Sequence, residues 1–367
     1  MLDACEQSPS YVRAIAPYQP GKPISELARE MGLDEAGIIK LASNENPLGT
    51  GERALRAMQA QLQDVARYPD GSGFELKRAL SARYRVDEAS IVLGNGSNDV
   101  LEMVASAFLG PAVSAVYAAH AFAVYPIATQ ASGAKSIVVP AKDFGHDLDA
   151  MAAAVRADTR VVWIANPNNP TGTFVPAAQI EAFLNRIPRA VVVVLDEAYN
   201  EYLPSSAQFD SMRWLQQFPN LVIIRTFSKA YGLAGLRVGF AVGHPEVTDL
   251  MNRVRQPFNV SSVAQAAAVA ALEDVAFVER SRDLNARGLR QIAAGLDRLR
   301  RQYIPSFGNF LTFHAGAAAQ VYQRLLQQGV IVRPIAGYGM PEHLRVSIGL
   351  ESENERFLQA LQVALHA

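Results

Sequence analysis

Short apolar runs recur through the first two thirds of the chain, and segments of helical spacing lie between most of them. The runs read "SIVLG", "AVSAVYA", "KSIVVP", "RVVWIANP", "AVVVVLDEAY" and "NLVIIRTFS", while "DVLEMVASAFLG" and "PAAQIEAFLNRI" carry the helical spacing. Val/Ile runs without polar alternation suit strands covered on both faces. This part therefore predicts a mainly parallel central sheet between helix layers. Beyond about residue 245 the pattern changes. An Ala/Leu/Arg-rich helical region, Ser262 to Arg301, leads to the strand-like "NFLTFHA", a helix at "AQVYQRLLQQG", the strand-like "VIVRPI" and "HLRVSIG", and a last helix. That order predicts a smaller α+β domain.

The expectation is an α/β chain with an N-terminal arm over 1–30, a large domain over 31–255 and a small C-terminal domain over 256–367. A length of 367 residues supports two units, because one hydrophobic core rarely grows that far. The arm contains the proline-rich "APYQPGKP". Met103 to Ala134 lacks any charged residue and is long enough to span a bilayer. Gly110-Pro111 and Pro126 break it into pieces, so it reads as a buried strand flanked by helices, with no membrane partner.

Charge and composition narrow the chemistry. The formal net charge is −1 and no basic run occurs, which argues against nucleic acid as a partner. A single cysteine, Cys5, forbids an internal disulfide and a multi-cysteine metal site, and the six histidines show no paired spacing. No metal is expected. The start "MLDACEQSPSYVR" has no basic region leading into an apolar run, which predicts a cytoplasmic protein.

Four stretches carry candidate chemistry. Asp196 closes the run "VVVVLD", at a strand's carboxyl end, where open α/β sheets place ligands. Taken alone it suits a helix cap or a metal carboxylate as well as an acid facing a protonated ring nitrogen. "NPNNPTGTF" follows another strand and brings the Asn169 amide to the same edge. "LGNGSNDVLEM" sets Gly94, Gly96, Ser97 and Asn98 between a strand and a helix, a place where first-turn N–H groups bind phosphate. Asp99 stands where a dinucleotide fingerprint needs its third glycine.

The fourth stretch is "RTFSKAYGLAGLRVGF". The chain has six lysines against twenty-eight arginines, yet Lys229 lies here among small and apolar residues. A lysine withdrawn from water has a lowered pKa and becomes a nucleophilic amine. Thr226, Ser228 and Arg237 around it suit a phosphate dianion. An amine for an aldehyde, an acid for a pyridine nitrogen, an amide for a phenolate and donors for a phosphate together fit pyridoxal phosphate.

With "PYQPGKP", "LASNENPLG", "RYPDGSG", "GNGSND", "PNNPTG", "DEAY", "TFSKAYGLAGLRVG", "PFNV" and "LRVSIG" in this order, the chain resembles the fold-type I pyridoxal-phosphate aminotransferases, and among them the histidinol-phosphate aminotransferase family. Aromatic aminotransferases and threonine-phosphate decarboxylases share much of the pattern. The resemblance implies that Lys229 bonds the cofactor's aldehyde and shuttles a proton, Asp196 keeps the pyridine nitrogen protonated, and Asn169 and Tyr199 donate to the ring oxygen. It implies phosphate contacts from Gly96, Ser97, Asn98, Ser228, Arg237 and Thr226, and ring stacking by Phe122, where the family more often has tyrosine. Tyr68 is implied to reach a neighbouring subunit's cofactor, hence a homodimer with shared active sites, and Tyr18 to line the partner's substrate pocket. Arg345 and Arg333 are the implied substrate-anion groups, with Glu45 and Asn46 bordering the imidazole side. The implied substrates are histidinol phosphate and 2-oxoglutarate or glutamate.

Overall fold

The computed structural model describes residues 2–366. In chain order its strands are β1 (Ile39–Lys40), β2 (Ile91–Gly94), β3 (Ser114–Ala118), β4 (Lys135–Val139), β5 (Thr159–Ala165), β6 (Val192–Asp196), β7 (Leu221–Thr226), β8 (Gly239–Gly243), β9 (Tyr303–Ile304), β10 (Phe310–His314), β11 (Val330–Ile331), β12 (Arg333–Pro334) and β13 (His343–Ser347). Seven of them form one sheet in the order β2-β8-β7-β6-β5-β3-β4. β8 runs antiparallel to both neighbours, and the remaining pairs are parallel.

Alternate residues of a strand point to opposite faces, and here both faces are covered. Val193, Leu195, Leu221 and Ile223 pack against the helices Phe74–Tyr84, Ala177–Arg186 and Ser262–Glu273. Val192, Val194, Val222 and Ile224 pack against Ser97–Phe108, Val124–Ala131 and Pro245–Val254. That two-sided burial is why the runs show no polar alternation. The uncharged Met103–Ala134 stretch is β3 between two helices, and among the described residues no helix is long and apolar enough to cross a membrane.

Two strand expectations are corrected. "KSIVVP" is the sheet's edge, not a strand covered on both faces, and Val138 is 53% exposed. β8 was not anticipated, because "RVGFAVG" is short and glycine-bounded. It exists because the chain reverses after β7 and returns antiparallel, with Gly94, Gly239 and Thr226 side by side.

The small sheet, β12-β13-β10-β9, is antiparallel. Leu344 and Val346 face a core built with Ile292, Leu296, Leu325, Phe357 and Leu361. The alternate residues Arg345 and Thr312 reach the large sheet's loops, where they meet Asn169 and the Pro170 carbonyl. The packing divides the chain elsewhere than at 30/31 and 255/256. Ala264, Ala268 and Leu272 belong to the large core, so the change falls at Asp274, which caps the helix Val275–Arg298. Leu27, Ala28, Ile38 and Ala42 pack with Leu326 and Ile331, and β1 pairs with β11, so residues 27–42 join the small domain.

Candidate active site

The carboxyl ends of β5, β6 and β7 open onto one cleft, and the register Ala165↔Asp196↔Ile224 fixes their alignment. Lys229 stands in the reversal between β7 and β8, and its Nζ donates to the Ser43 carbonyl at 3.2 Å. Burial pushes its pKa down to about 8; Arg345 and Arg237 add to this, while Glu45 and Asp196 oppose it. A substantial neutral fraction at physiological pH follows, as a nucleophilic amine requires.

Asp196 lies on the face of β6 that looks toward the helix Ser97–Phe108. Tyr125 donates to its Oδ2 at 2.9 Å and the Ala198 N–H to its Oδ1 at 3.2 Å. Burial raises its pKa to about 6 despite those two bonds. The carboxylate is held in place yet short of a cationic partner, which suits a protonated ring nitrogen. Tyr199 Oη accepts from Asn44 Nδ2 at 2.9 Å, leaving its own hydrogen free for the cleft. Burial raises that phenol's pKa to about 12. Asn169 Oδ1 accepts from Arg345 Nη1, leaving the amide N–H groups free.

The phosphate end can be tested on geometry alone. The helix Ser97–Phe108 begins after Gly96 with no side-chain cap, so its first N–H groups are unclaimed. Gly96 has φ +79°, and a Cβ there would come 2.2 Å from an Arg237 guanidinium nitrogen. Arg237 donates to Ser228 Oγ at 3.2 Å and to the Ala234 carbonyl at 3.0 Å. A cation pressed against the positive end of a helix is unfavourable unless an anion joins them. The cup fits a phosphate dianion, and the cleft as a whole fits pyridoxal phosphate.

Ser97, Asn98, Phe122, Asn169, Asp196, Tyr199, Thr226, Ser228, Lys229, Arg237, Arg333, Arg345 and Tyr18 all line this one cleft. At its far end Arg333 and Arg345 face each other in register on β12 and β13. Tyr18 lies over Arg333 at 5.3 Å, and Arg333 donates to the Gln19 carbonyl. Within this chain the arm lies along its own small domain, with Tyr18 at the end of its own cleft.

Three expected residues lie off the cleft. Tyr68 is 82% exposed and stacks on Phe258 at 4.7 Å. Glu45 pairs with Lys40 at 3.0 Å. Asn46 is buried with its amide on the Ala230 carbonyl and Ser281, so it ties loops together. Asn44 and Tyr125, which hold Tyr199 and Asp196, escaped the sequence reading. The left-handed φ of 56° at Asn44 turns the "SNEN" loop so that Ser43 and Asn44 line the cleft while Glu45 and Asn46 do not.

The sequence profile described as aminotransferase class I and II matches residues 36–361. Histidinol-phosphate aminotransferase 2 of Nitrosospira multiformis is 63% identical over 365 residues, covering 99% of this chain and 93% of that protein. Histidinol-phosphate aminotransferase 1 of Thiobacillus denitrificans is 63% identical over 360 residues, covering 98% and 94%. The structure of histidinol-phosphate aminotransferase from Sinorhizobium meliloti, in complex with pyridoxal-5'-phosphate, superposes with a TM-score of 0.90 at 26% identity, covering 98% of each chain.

Proposed function

This chain belongs to the class I and II aminotransferases, and from that premise we propose that it moves the amino group of histidinol phosphate to 2-oxoglutarate, giving glutamate, in histidine biosynthesis, with pyridoxal phosphate as cofactor. The observation that carries the substrate assignment is the pair Arg333 and Arg345. Both are buried, neither forms an ion pair among the described residues, and Arg345 Nε has no partner. Two guanidiniums without anions are costly to bury, and both fork onto phosphate and carboxylate oxygens alike. One pocket can thus receive the phosphate ester in one half-reaction and a dicarboxylate in the other.

Bound pyridoxal phosphate supplies an aldehyde that bonds the substrate nitrogen and a ring that draws electrons from the adjacent carbon. The chain's own groups do the rest. The first N–H groups of the Ser97 helix, with Ser228, Thr226 and Arg237, hold the phosphate. Asp196, steadied by Tyr125, holds the proton on the ring nitrogen. Tyr199 and Asn169 donate to the ring oxygen, and Phe122 covers one ring face. Lys229 Nζ, in the neutral form that burial makes accessible, would take the proton from the substrate carbon and carry it across the cleft. We assign the pocket a second chain as well. Leu62, Val65, Tyr68 and Phe258 are exposed apolar residues of the kind a dimer covers, with Tyr68 acting across the interface.

Purified enzyme given histidinol phosphate and 2-oxoglutarate should form glutamate faster than with phenylalanine, and should release no CO2 from threonine phosphate. Preference for phenylalanine would make it an aromatic aminotransferase. Mixing Tyr68→Ala with Lys229→Ala chains should restore activity that neither has alone; no recovery would remove the shared site.

A further inference from the structure

His120 is outside every motif above, yet it touches both domains. It follows β3 with φ +57°, and its carbonyl accepts from Asn168 Nδ2 at 3.1 Å, beside the cleft residue Asn169. Its ring Nδ1 lies 2.6 Å from the carbonyl oxygen of Tyr338. A carbonyl only accepts, so Nδ1 carries the hydrogen. Tyr338 ends the small-domain turn Ala336–Tyr338, which Gly339 closes at φ +74°, and His120 Cε1 packs over Gly339. Ile335, Met340 and Ile304 anchor that turn from beneath. Burial raises the Tyr338 phenol's pKa, and the Arg345 and Arg333 guanidiniums oppose that rise, so the phenol lies close to both. Two residues after His120 comes Phe122, in the wall of the cleft.

We propose that His120 is a positioning residue, a latch across the domain gap that sets Tyr338 beside Arg333 and Arg345, and that Tyr338 is a specificity determinant for the distal anion of the substrate. The latch fixes the turn by its carbonyl, so the phenol's direction is set independently of the long arginine side chains. A hydroxyl beside two guanidiniums adds a neutral donor that a tetrahedral phosphate, with three free oxygens, uses better than an unphosphorylated end does. The inference rests on the reading of this end as the anion site.

The test compares kcat/KM for histidinol phosphate with that for histidinol, in wild-type holoenzyme and in His120→Ala, His120→Asn and Tyr338→Phe. Wild type prefers the phosphate ester. His120→Ala and Tyr338→Phe should each shrink that preference about 3- to 10-fold, through KM more than kcat, the scale of one lost hydrogen bond. His120→Asn should restore it, since an asparagine amide places an N–H where Nδ1 stood and tolerates left-handed backbone. A preference unchanged in both His120→Ala and Tyr338→Phe overturns the latch while leaving the substrate reading intact, as does His120→Asn no better than His120→Ala. Absence of any phosphate preference in wild type overturns both.

Discussion

The carboxyl edge of the central sheet bears acids and bases on both faces, and the faces use them differently. On the cleft face, Asp196 and Lys229 have no opposite charge within bonding distance among the described residues, and Arg237 lies against an uncapped helix start. One residue along each strand, on the other face, Arg225 donates through Nε and Nη2 to Glu197 Oε2 at 3.0 and 2.8 Å. Ser211 also donates to Glu197, and Glu201 lies 3.7 Å from Arg225. Burial works against the Arg225 charge, but Glu197 and Glu201 hold it firmly protonated. Charges closed on one another serve the fold. Charges left open await a ligand.

Breaking each face should separate activity from stability. Lys229→Ala should lower turnover by at least ~10²–10⁴-fold, measured with saturating substrate, while the chain stays folded. Cofactor-free Lys229→Met should even be more stable than wild type at pH 7. Folding lowers this lysine's pKa from 10.5 to about 8, so the penalty is complete below pH 8, shrinks as pH rises, and is gone above 10.5. Denaturant titrations at pH 7 and pH 10.5 check that sign. Arg225→Leu should do the reverse, costing about 3–5 kcal/mol by leaving Glu197 buried and unpaired, while the folded fraction keeps most of its activity. If Arg225→Leu instead abolished activity without loss of stability, the two faces would not differ as described.

A finer measurement reads the lysine directly. At pH 7 about one tenth of an amine with a pKa near 8 is neutral, against roughly one in 3000 for an ordinary lysine. An amine-reactive reagent should therefore label Lys229 first in the cofactor-free protein, with a midpoint near pH 8; labelling that tracked Lys135 and Lys142 would contradict the withdrawn amine. The smallest effect is expected of Tyr125→Phe, which keeps the ring's packing and removes one hydrogen bond from Asp196. Turnover or cofactor affinity should fall about 3- to 10-fold.

Legibility in the sequence followed chain distance. Lys229, Thr226, Ser228 and Arg237 sit in one contiguous stretch, Asp196 closes an apolar run and Asn169 lies in the loop after another, so strand position alone brought them together. Asn44 acts on Tyr199 from 155 residues away, and nothing local in "SNEN" says which residue its left-handed turn presents. Tyr125 reaches Asp196 from a helix whose inner face reads as ordinary core. The helix Ser262–Glu273 joined the wrong domain in the sequence reading, because alanine-rich helices pack equally well on either core and only the cap at Asp274 marks the departure. The edge position of β4 was illegible for a similar reason, since apolar content does not report how many neighbours a strand has.

The bare helix start beside Arg237 has a practical consequence. Its recognition is of shape and charge, a tetrahedral dianion, so inorganic phosphate or sulfate in the buffer competes for the same cup. Cofactor-free enzyme will be steadied by such salts and will reload more slowly in them. The buffer in which apoenzyme is stored thus sets how tightly the vitamin seems to bind.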